Sequence, residues 1–286
     1  MTITAKVIAD SIANDIRLTT LELEYPRFIH SEFMTHRMFS RNASSSRAIP
    51  VNKMIEKVRN DPAMPIHWGR NQKGMQADEE LNIFDKEQAI QDWRYGALRA
   101  VDVAIRISEL EIHKQIVNRL TEPFQHIKVI VTATEWDNFF NLRLHKDAQP
   151  EMQQLAIRMQ EAMNYSCPKD LKHGEWHLPY VDFPGSRGKE LVLEKAIKCS
   201  VARCARVSNL NHDNSTPDIS KDIALADMLL VAGHMSPFEH IATPMNFAKD
   251  TFELAWENGV THKDRDNNFW SGNFRGFLMY RQLLNA

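Results

Sequence analysis

Thr35-His36-Arg37-Met38-Phe39-Ser40-Arg41-Asn42-Ala43-Ser44-Ser45-Ser46-Arg47 is the stretch on which the fold reading turns. Three arginines, a histidine and four serines share these thirteen residues, with little apolar surface to bury. Arginine offers a rigid fork of donors to an oxyanion, and serine hydroxyls with adjacent backbone N–H groups complete a cradle. A solvated basic loop is the plain alternative for any Ser/Arg run. The flanks argue against it here. Phe28, Ile29, Phe33 and Met34 precede the run and Ala48-Ile49-Pro50 closes it, so the loop is anchored on ordered structure.

Working outward, residues 16–24 alternate and are rich in β-formers, which predicts a strand running to Pro26. Residues 27–38 suit a helix whose far end delivers His36-Arg37. Residues 61–74 carry Pro62, Pro65, Gly69, Gly74 and Trp68, and read as a long loop over a site. Helical periodicity is sustained over 85–110, and a shorter helix over 112–120 ends at the Glu122-Pro123 break. Residues 126–133 are β-rich, and 139–163 return to helix. The polar stretch 172–188, with Pro179 and Pro184, is the best internal boundary. Helices are expected over 189–206 and 219–232, and a strand over 241–247. The expected fold is a single α+β domain over 1–286. A twisted, mostly antiparallel sheet packs against helices, with a long helical segment between 85 and 165.

Bulk numbers narrow the function. The 286 residues carry a formal net charge of −2, which gives no global field for nucleic acid but leaves room for an anionic small molecule in a local arginine cluster. The first ten residues lack a signal-peptide core and no apolar run reaches membrane-spanning length, so no membrane partner is expected. Cys167, Cys199 and Cys204 show no CxxC spacing; packing roles and a reduced, cytoplasmic setting are expected.

Two further clusters stand out. In Gly233-His234-Met235-Ser236-Pro237-Phe238-Glu239-His240, a helix cap and a turn explain Gly233, Ser236 and Pro237 but not two histidines and a glutamate. The spacing fits no zinc signature, so polar ligand contacts are expected and no metal. On residues 138–149, Asn138, Asn141 and His145 fall on one helical stripe, which an ordinary polar helix face also explains. Arg119 by itself reads equally as a helix C-terminal charge.

Together these clusters resemble the flavin-dependent thymidylate synthases. His36-Arg37, seven residues and Ser45 reproduce the family's Arg-His-Arg-x7-Ser run except at Thr35, and Ser45-Ser46-Arg47 stands for its Ser-Gly-Arg. Arg119 to Pro123 is similar to its Arg-x-x-Leu-Pro segment. Asn141-Leu142-Arg143 with Ala148-Gln149-Pro150-Glu151 is similar to its Asn-Leu-Arg…Ala-Gln-x-Glu helix. Ala205-Arg206-Val207-Ser208 and residues 233–240 are similar to its Ala-Arg-Val-Ser and Gly-His-x-Ser-Pro-Phe-Glu-His. The last two precede the arginine run in the family and follow it here, so the chain reads as circularly permuted, which is tolerable where old termini lie close. Residues 18–28 and 241–247 are then copies of one ancestral strand, or neighbours.

The resemblance implies transfer of a one-carbon unit from methylenetetrahydrofolate to C5 of dUMP, with FAD as cofactor, NADPH as reductant and no cysteine nucleophile. Ser45, Ser46 and Arg47 are implied to hold the nucleotide phosphate, with Arg119 from a neighbouring subunit of a homotetramer whose sites lie at subunit interfaces. Arg143 is implied to be catalytic, facing the pyrimidine edge and stabilising charge that develops there. Thr35, His36, Arg37, Asn42, Asn138, His234, Ser236 and Glu239 are implied at the flavin. Three letters depart from the pattern: Thr35 for arginine, Ala43 for glutamate, and Glu32 for a glutamine near the nucleotide. Glu32 is an acceptor that suits the amine of cytosine. The alternatives are therefore a dUMP or dCMP 5-hydroxymethylase of phage type, acting in the host cytoplasm, and a flavin- or nucleotide-binding protein without catalysis.

Overall fold

The structure is a computed structural model that describes residues 3–181, 190–208, 215–246 and 256–284. Its centre is a five-stranded sheet of β1 (Thr4–Ala13), β2 (Ile16–Pro26), β3 (Ser40–Ala43), β4 (His126–Ala133) and β5 (Lys169–Asp170), in the order β3-β4-β2-β1-β5. All neighbours are antiparallel except β5 against β1. Asn14 and Asp15, both at positive φ, make the two-residue turn that joins β1 to β2, a conformation matched to the twist of the flanking strands.

Helices α1 (His30–Phe33), α2 (Val51–Asn60), α3 (Ile83–Ser108), α4 (Lys114–Val117), α5 (Asp137–Arg143) and α6 (Pro150–Asn164) belong to the first part of the chain. Alternation along the strands divides the sheet into two packed faces. Leu21, Leu23, Tyr25, Val129 and Val131 meet Met152, Leu155 and Met159 of α6. Ile130, one residue out of phase with its neighbours, faces α7 (Glu190–Arg206) and the 3₁₀ turn Ser236–His240, where Ile197, Val201, Cys204, Phe238 and Ile241 are buried. Both faces are thus covered, one by the middle of the chain and the other by its C-terminal part. A separate core joins α2, α3 and α4 through Met54, Val58, Ala97, Val101 and Val117.

On the C-terminal side, α7 and α8 (Ile219–Val231) are clamped by one carboxylate. Asp222, fully buried, accepts from Arg203 Nε at 3.1 Å and also pairs with Arg206. Asp222→Asn would leave two partly buried guanidiniums without their counter-charge. A loss of about 3–5 kcal/mol is expected, read as a fall in the urea midpoint at unchanged m-value. The rest of the chain forms β6 (Ala242–Pro244), β7 (His262–Lys263), β8 (Phe269–Ser271), β9 (Phe274–Arg275), β10 (Phe277–Met279) and α9 (Tyr280–Leu284). At Gly276 (φ +70°) an added Cβ would lie 2.3 Å from Ile16 Cδ1, so the turn after β9 requires glycine.

Several expectations are revised. The helix expected over 27–38 is a 3₁₀ turn, Arg27–Ile29, followed by the single turn of α1. Thr35 N–H and hydroxyl both donate to the Glu32 carbonyl, at 3.0 and 2.7 Å, and Arg41 takes the carbonyls of Met34 and His36. Side chains thereby satisfy carbonyls that a longer helix would have used. The helix expected over 139–163 breaks between Arg143 and Pro150, where the Gln149 side chain accepts from Met152 N–H and caps α6. His145 lies in that break, off any stripe shared with Asn138 and Asn141. The shorter helix over 112–120 narrows to α4, followed by a 3₁₀ segment Asn118–Phe124. Within the expected boundary at 172–188, residues 172–175 are exposed and 177–180 are buried; 182–189 and 247 lie outside the described residues. Cys199 and Cys204 are buried, but Cys167 is exposed and has no packing role. Strand β6 pairs with β10 and not with β2, so 18–28 and 241–247 are not neighbouring strands.

Candidate active site

The end of α5 meets the end of α1 through one side chain. Arg143 Nε donates to His36 Nε2 at 2.9 Å, and Arg143 Nη1 pairs with Glu32 Oε1. A guanidinium has no acceptor, so His36 Nε2 must carry a lone pair and the ring is neutral. Burial, then the nearby charges of Arg143 and Arg41, push the His36 pKa down to about 4, in keeping with that geometry. Behind the ring, Phe139 packs edge-on at 4.8 Å and Phe39 stacks at 6.0 Å. The aromatic packing and the Arg41 bonds fix His36, and His36 with Glu32 fixes Arg143.

Glu32 and Arg143 lie on the wall of a cavity of about 1010 Å³. Phe28 and Trp93 supply apolar walls, and the loop from Pro65 to Asp78 closes one side. Two bonds tie that loop down. Trp93 Nε1 donates to the Ala63 carbonyl at 2.9 Å, and the buried Glu151 accepts from Ile66 N–H at 2.6 Å. An apolar slot with a few fixed polar groups is the usual form of a small-molecule site.

The other predicted residues fall into two further groups. Ser46 is buried beside the 3₁₀ segment that carries Arg119, whereas Ser45, Arg47 and Arg119 are exposed. Ser236 and Glu239 lie on the turn packed against β3, with Glu239 paired to Arg281, and Asn42 Nδ2 reaches the Cys204 carbonyl at 3.5 Å. Thr35, Arg37, Asn138, His234 and Ser236 present exposed side chains. Within one chain the serine-arginine turn and Arg143 are not brought together. The turn follows β3 in the chain, Arg143 bonds His36, which precedes β3, and no bond joins the two among the described residues.

Arg41 and Trp93 were not singled out from sequence. Arg41 is the middle arginine of the opening run, so its signal was present without an assigned role. Trp93 reads only as one apolar position of a helix. Among the described residues, no group of three or more His, Cys, Asp or Glu is placed to hold a metal, and no helix is long and apolar enough to cross a membrane.

The profile of the family described as thymidylate synthase complementing protein matches residues 17–169. The chain belongs to that family. The matched segment contains β3, β4, nearly all of β2 and the whole cavity, and leaves out the C-terminal part that covers the second face of the sheet. Among curated thymidylate synthase complementing relatives, a flavin-dependent thymidylate synthase of Thermosipho melanesiensis is 27% identical over 157 residues, covering 52% of this chain and 64% of that one. The chain thus spans just under two thirds of that relative's length. Among solved structures, a UMP/dUMP methylase, PolB, from Streptomyces cacaoi bound with 5-Br UMP is 15% identical with a TM-score of 0.49, over 57% of this chain and 88% of that chain. Thymidylate Synthase X from Helicobacter pylori with FAD and dUMP is 17% identical with a TM-score of 0.37, over 51% and 67%.

Proposed function

We propose that this chain is a flavin-dependent enzyme that transfers a one-carbon unit from methylenetetrahydrofolate to C5 of a pyrimidine deoxynucleoside monophosphate, converting dUMP to dTMP with NADPH as reductant. The observation that carries the reading is Arg143, pinned between a neutral His36 and Glu32 on the cavity wall. A cation so held needs no reorganisation to stabilise negative charge developing on a pyrimidine edge. Family membership supports the reaction class.

FAD, when bound, supplies the redox chemistry of the transfer. The chemistry of the donor set fits it. Arg37, Asn138, His234 and Ser236 offer exposed guanidinium, amide, imidazole and hydroxyl groups, and Asn42 and Glu239 lie on β3 and the turn packed against it. Thr35 and His36 complete that set on the Arg143 side. Ser45, Ser46 and Arg47 bind the nucleotide phosphate with Arg119. The site lies at a subunit interface of a homotetramer, with Arg119 supplied by a neighbouring subunit. The C-terminal cover of the sheet corresponds to segments that precede the arginine run in a non-permuted order, so the chain is a circular permutation of one α+β domain.

Glu32 favours a second reading. Its carboxylate stands beside Arg143 on the cavity wall, an acceptor where a cytosine amine could donate, which points to dCMP and to 5-hydroxymethylation. One experiment separates the readings. Protein is incubated with FAD, methylenetetrahydrofolate and dUMP or dCMP, with and without NADPH, and the nucleotide is weighed. A methyl product that needs NADPH is expected from dUMP. A product carrying an extra oxygen, formed without NADPH, would sink thymidylate synthesis, and colourless protein that neither binds FAD nor bleaches with NADPH would remove the flavoenzyme.

A further inference from the structure

The Ser45–Arg47 turn already faces an anion of its own. Ser46, 6% exposed, places its hydroxyl 3.4 Å from Glu122 Oε1, and the same carboxylate oxygen takes Arg27 Nη2 at 3.2 Å. The turn itself is rigidly mounted. Asn118 Nδ2 donates to the carbonyls of Ser46 and Ile49 at 2.7 and 3.0 Å, and Gln125 and Thr121 donate to the Asn118 carbonyl at 2.7 and 3.1 Å. Asn118, Thr121 and Gln125 are all buried. Ala48 N–H closes the turn on the Ser45 carbonyl at 3.0 Å, while the N–H groups of Ser45, Ser46 and Arg47 donate to no described residue. The Ser45 and Ser46 carbonyls are thus occupied while three successive N–H groups have no described acceptor, donors that an anion could take.

We propose that Glu122 is an internal competitor for this anion site and lowers the affinity of every anionic ligand that enters it. The proposal rests on the nucleotide reading above. A phosphate and the Glu122 carboxylate cannot share the Ser46 hydroxyl and the Arg27 guanidinium without like-charge repulsion, so one excludes the other. Free phosphate gains only the cradle in exchange for displacing Glu122. A nucleoside monophosphate gains base contacts as well. Glu122, whose side chain is 28% exposed, can swing into water when displaced. The displacement weakens free phosphate and nucleotide by the same factor, and the base contacts of a ligand anchored at two points offset that loss.

The test is calorimetric titration of the full chain, wild type, Glu122→Gln and Glu122→Ala, with inorganic phosphate, dUMP and deoxyuridine. Both variants are expected to bind phosphate and dUMP about tenfold more tightly than wild type, with deoxyuridine unaffected. Glutamine keeps the size and a hydrogen bond to Arg27's neighbourhood, so it reports even if the alanine variant folds poorly. Affinities for phosphate and dUMP that stay the same or weaken in Glu122→Gln overturn the proposal, and if the wild type binds dUMP the nucleotide reading survives that result. Phosphate that tightens in the variants while dUMP binds no better than phosphate upholds the role of Glu122 and removes the nucleotide reading instead.

Discussion

Arg143→Ala is expected to lower kcat/KM for one-carbon transfer by about 10³-fold, the scale of losing a preorganised charge at the reacting edge. The guanidinium makes two contacts that no other side chain can supply together, one to His36 Nε2 and one to Glu32. Its loss removes the cation and also leaves the Glu32 carboxylate unpaired on the cavity wall, where it repels an anionic nucleotide. Arg143→Lys keeps a charge but has no planar fork to meet both partners, so a loss of about 10²-fold is expected. A readout apart from activity accompanies this. Burial and, after it, Arg143 hold the His36 pKa at about 4, so in Arg143→Ala the imidazole is expected to titrate above that value while burial still keeps it below the usual range, seen by NMR of the ring nitrogens. An alanine variant with more than a tenth of wild-type activity would remove Arg143 from the catalytic role.

Stability is expected to fall steeply below neutral pH, because His177 and His240 are fully buried in the neutral form. Ser11 Oγ lies 2.8 Å from His177 Nδ1 and Thr20 Oγ1 lies 2.7 Å from His177 Nε2. Thr20 bonds Thr132 at 2.7 Å, and Thr132 bonds His240 Nδ1 at 2.8 Å. This polar row crosses β1, β2 and β4 and fastens the C-terminal cover to the sheet. Desolvation pushes His177 down to about 4 and His240 down to about 3, from the usual 6.5. Both folded pKa values are depressed, so the unfolded chain takes up protons first. The stability is fully present above pH 6.5 and drains away as pH falls toward 4 and 3. At pH 5 the two groups together account for a loss of roughly 4 kcal/mol relative to pH 7. Urea unfolding between pH 7 and 5 checks this. A His177→Gln/His240→Gln variant is expected to be weaker at pH 7 but to show a distinctly shallower pH slope. Equal slopes would rule out the two histidines as the source.

Much of the fold is readable from local pattern. The alternation in 16–24, the β-branched run 126–133 and the helical period in 85–110 each appear as β2, β4 and α3, because periodicity and propensity act within single elements. The misses share a cause. Strand β1 is half-exposed and its apolar alternation is weak, so its signal is the Asn14-Asp15 turn and its partner β2 rather than its own letters. The two shortened helices end where a side chain beyond the helix takes the carbonyls, Arg41 in one case, or where Gln149 and Pro150 start a new helix. The site divides in the same way. The serine-arginine run, Arg143 and the Ser-Pro-Phe-Glu-His turn are visible as residue types with too much donor chemistry for their surroundings. Their pairings are not.

By itself, then, the sequence determined the chemistry available to this protein: hydroxyls and a guanidinium at 45–47, a cation at Arg143 and an acceptor at Glu32. Only the tertiary structure decided who meets whom. It set Arg143 against a neutral His36, Glu122 against Ser46, and the C-terminal part of the chain over the second face of the sheet. The reason is physical. Residue type fixes what a side chain can donate, accept or bury, whereas charge state and partner depend on burial and on contacts more than a hundred residues apart in the chain, such as His36 with Arg143.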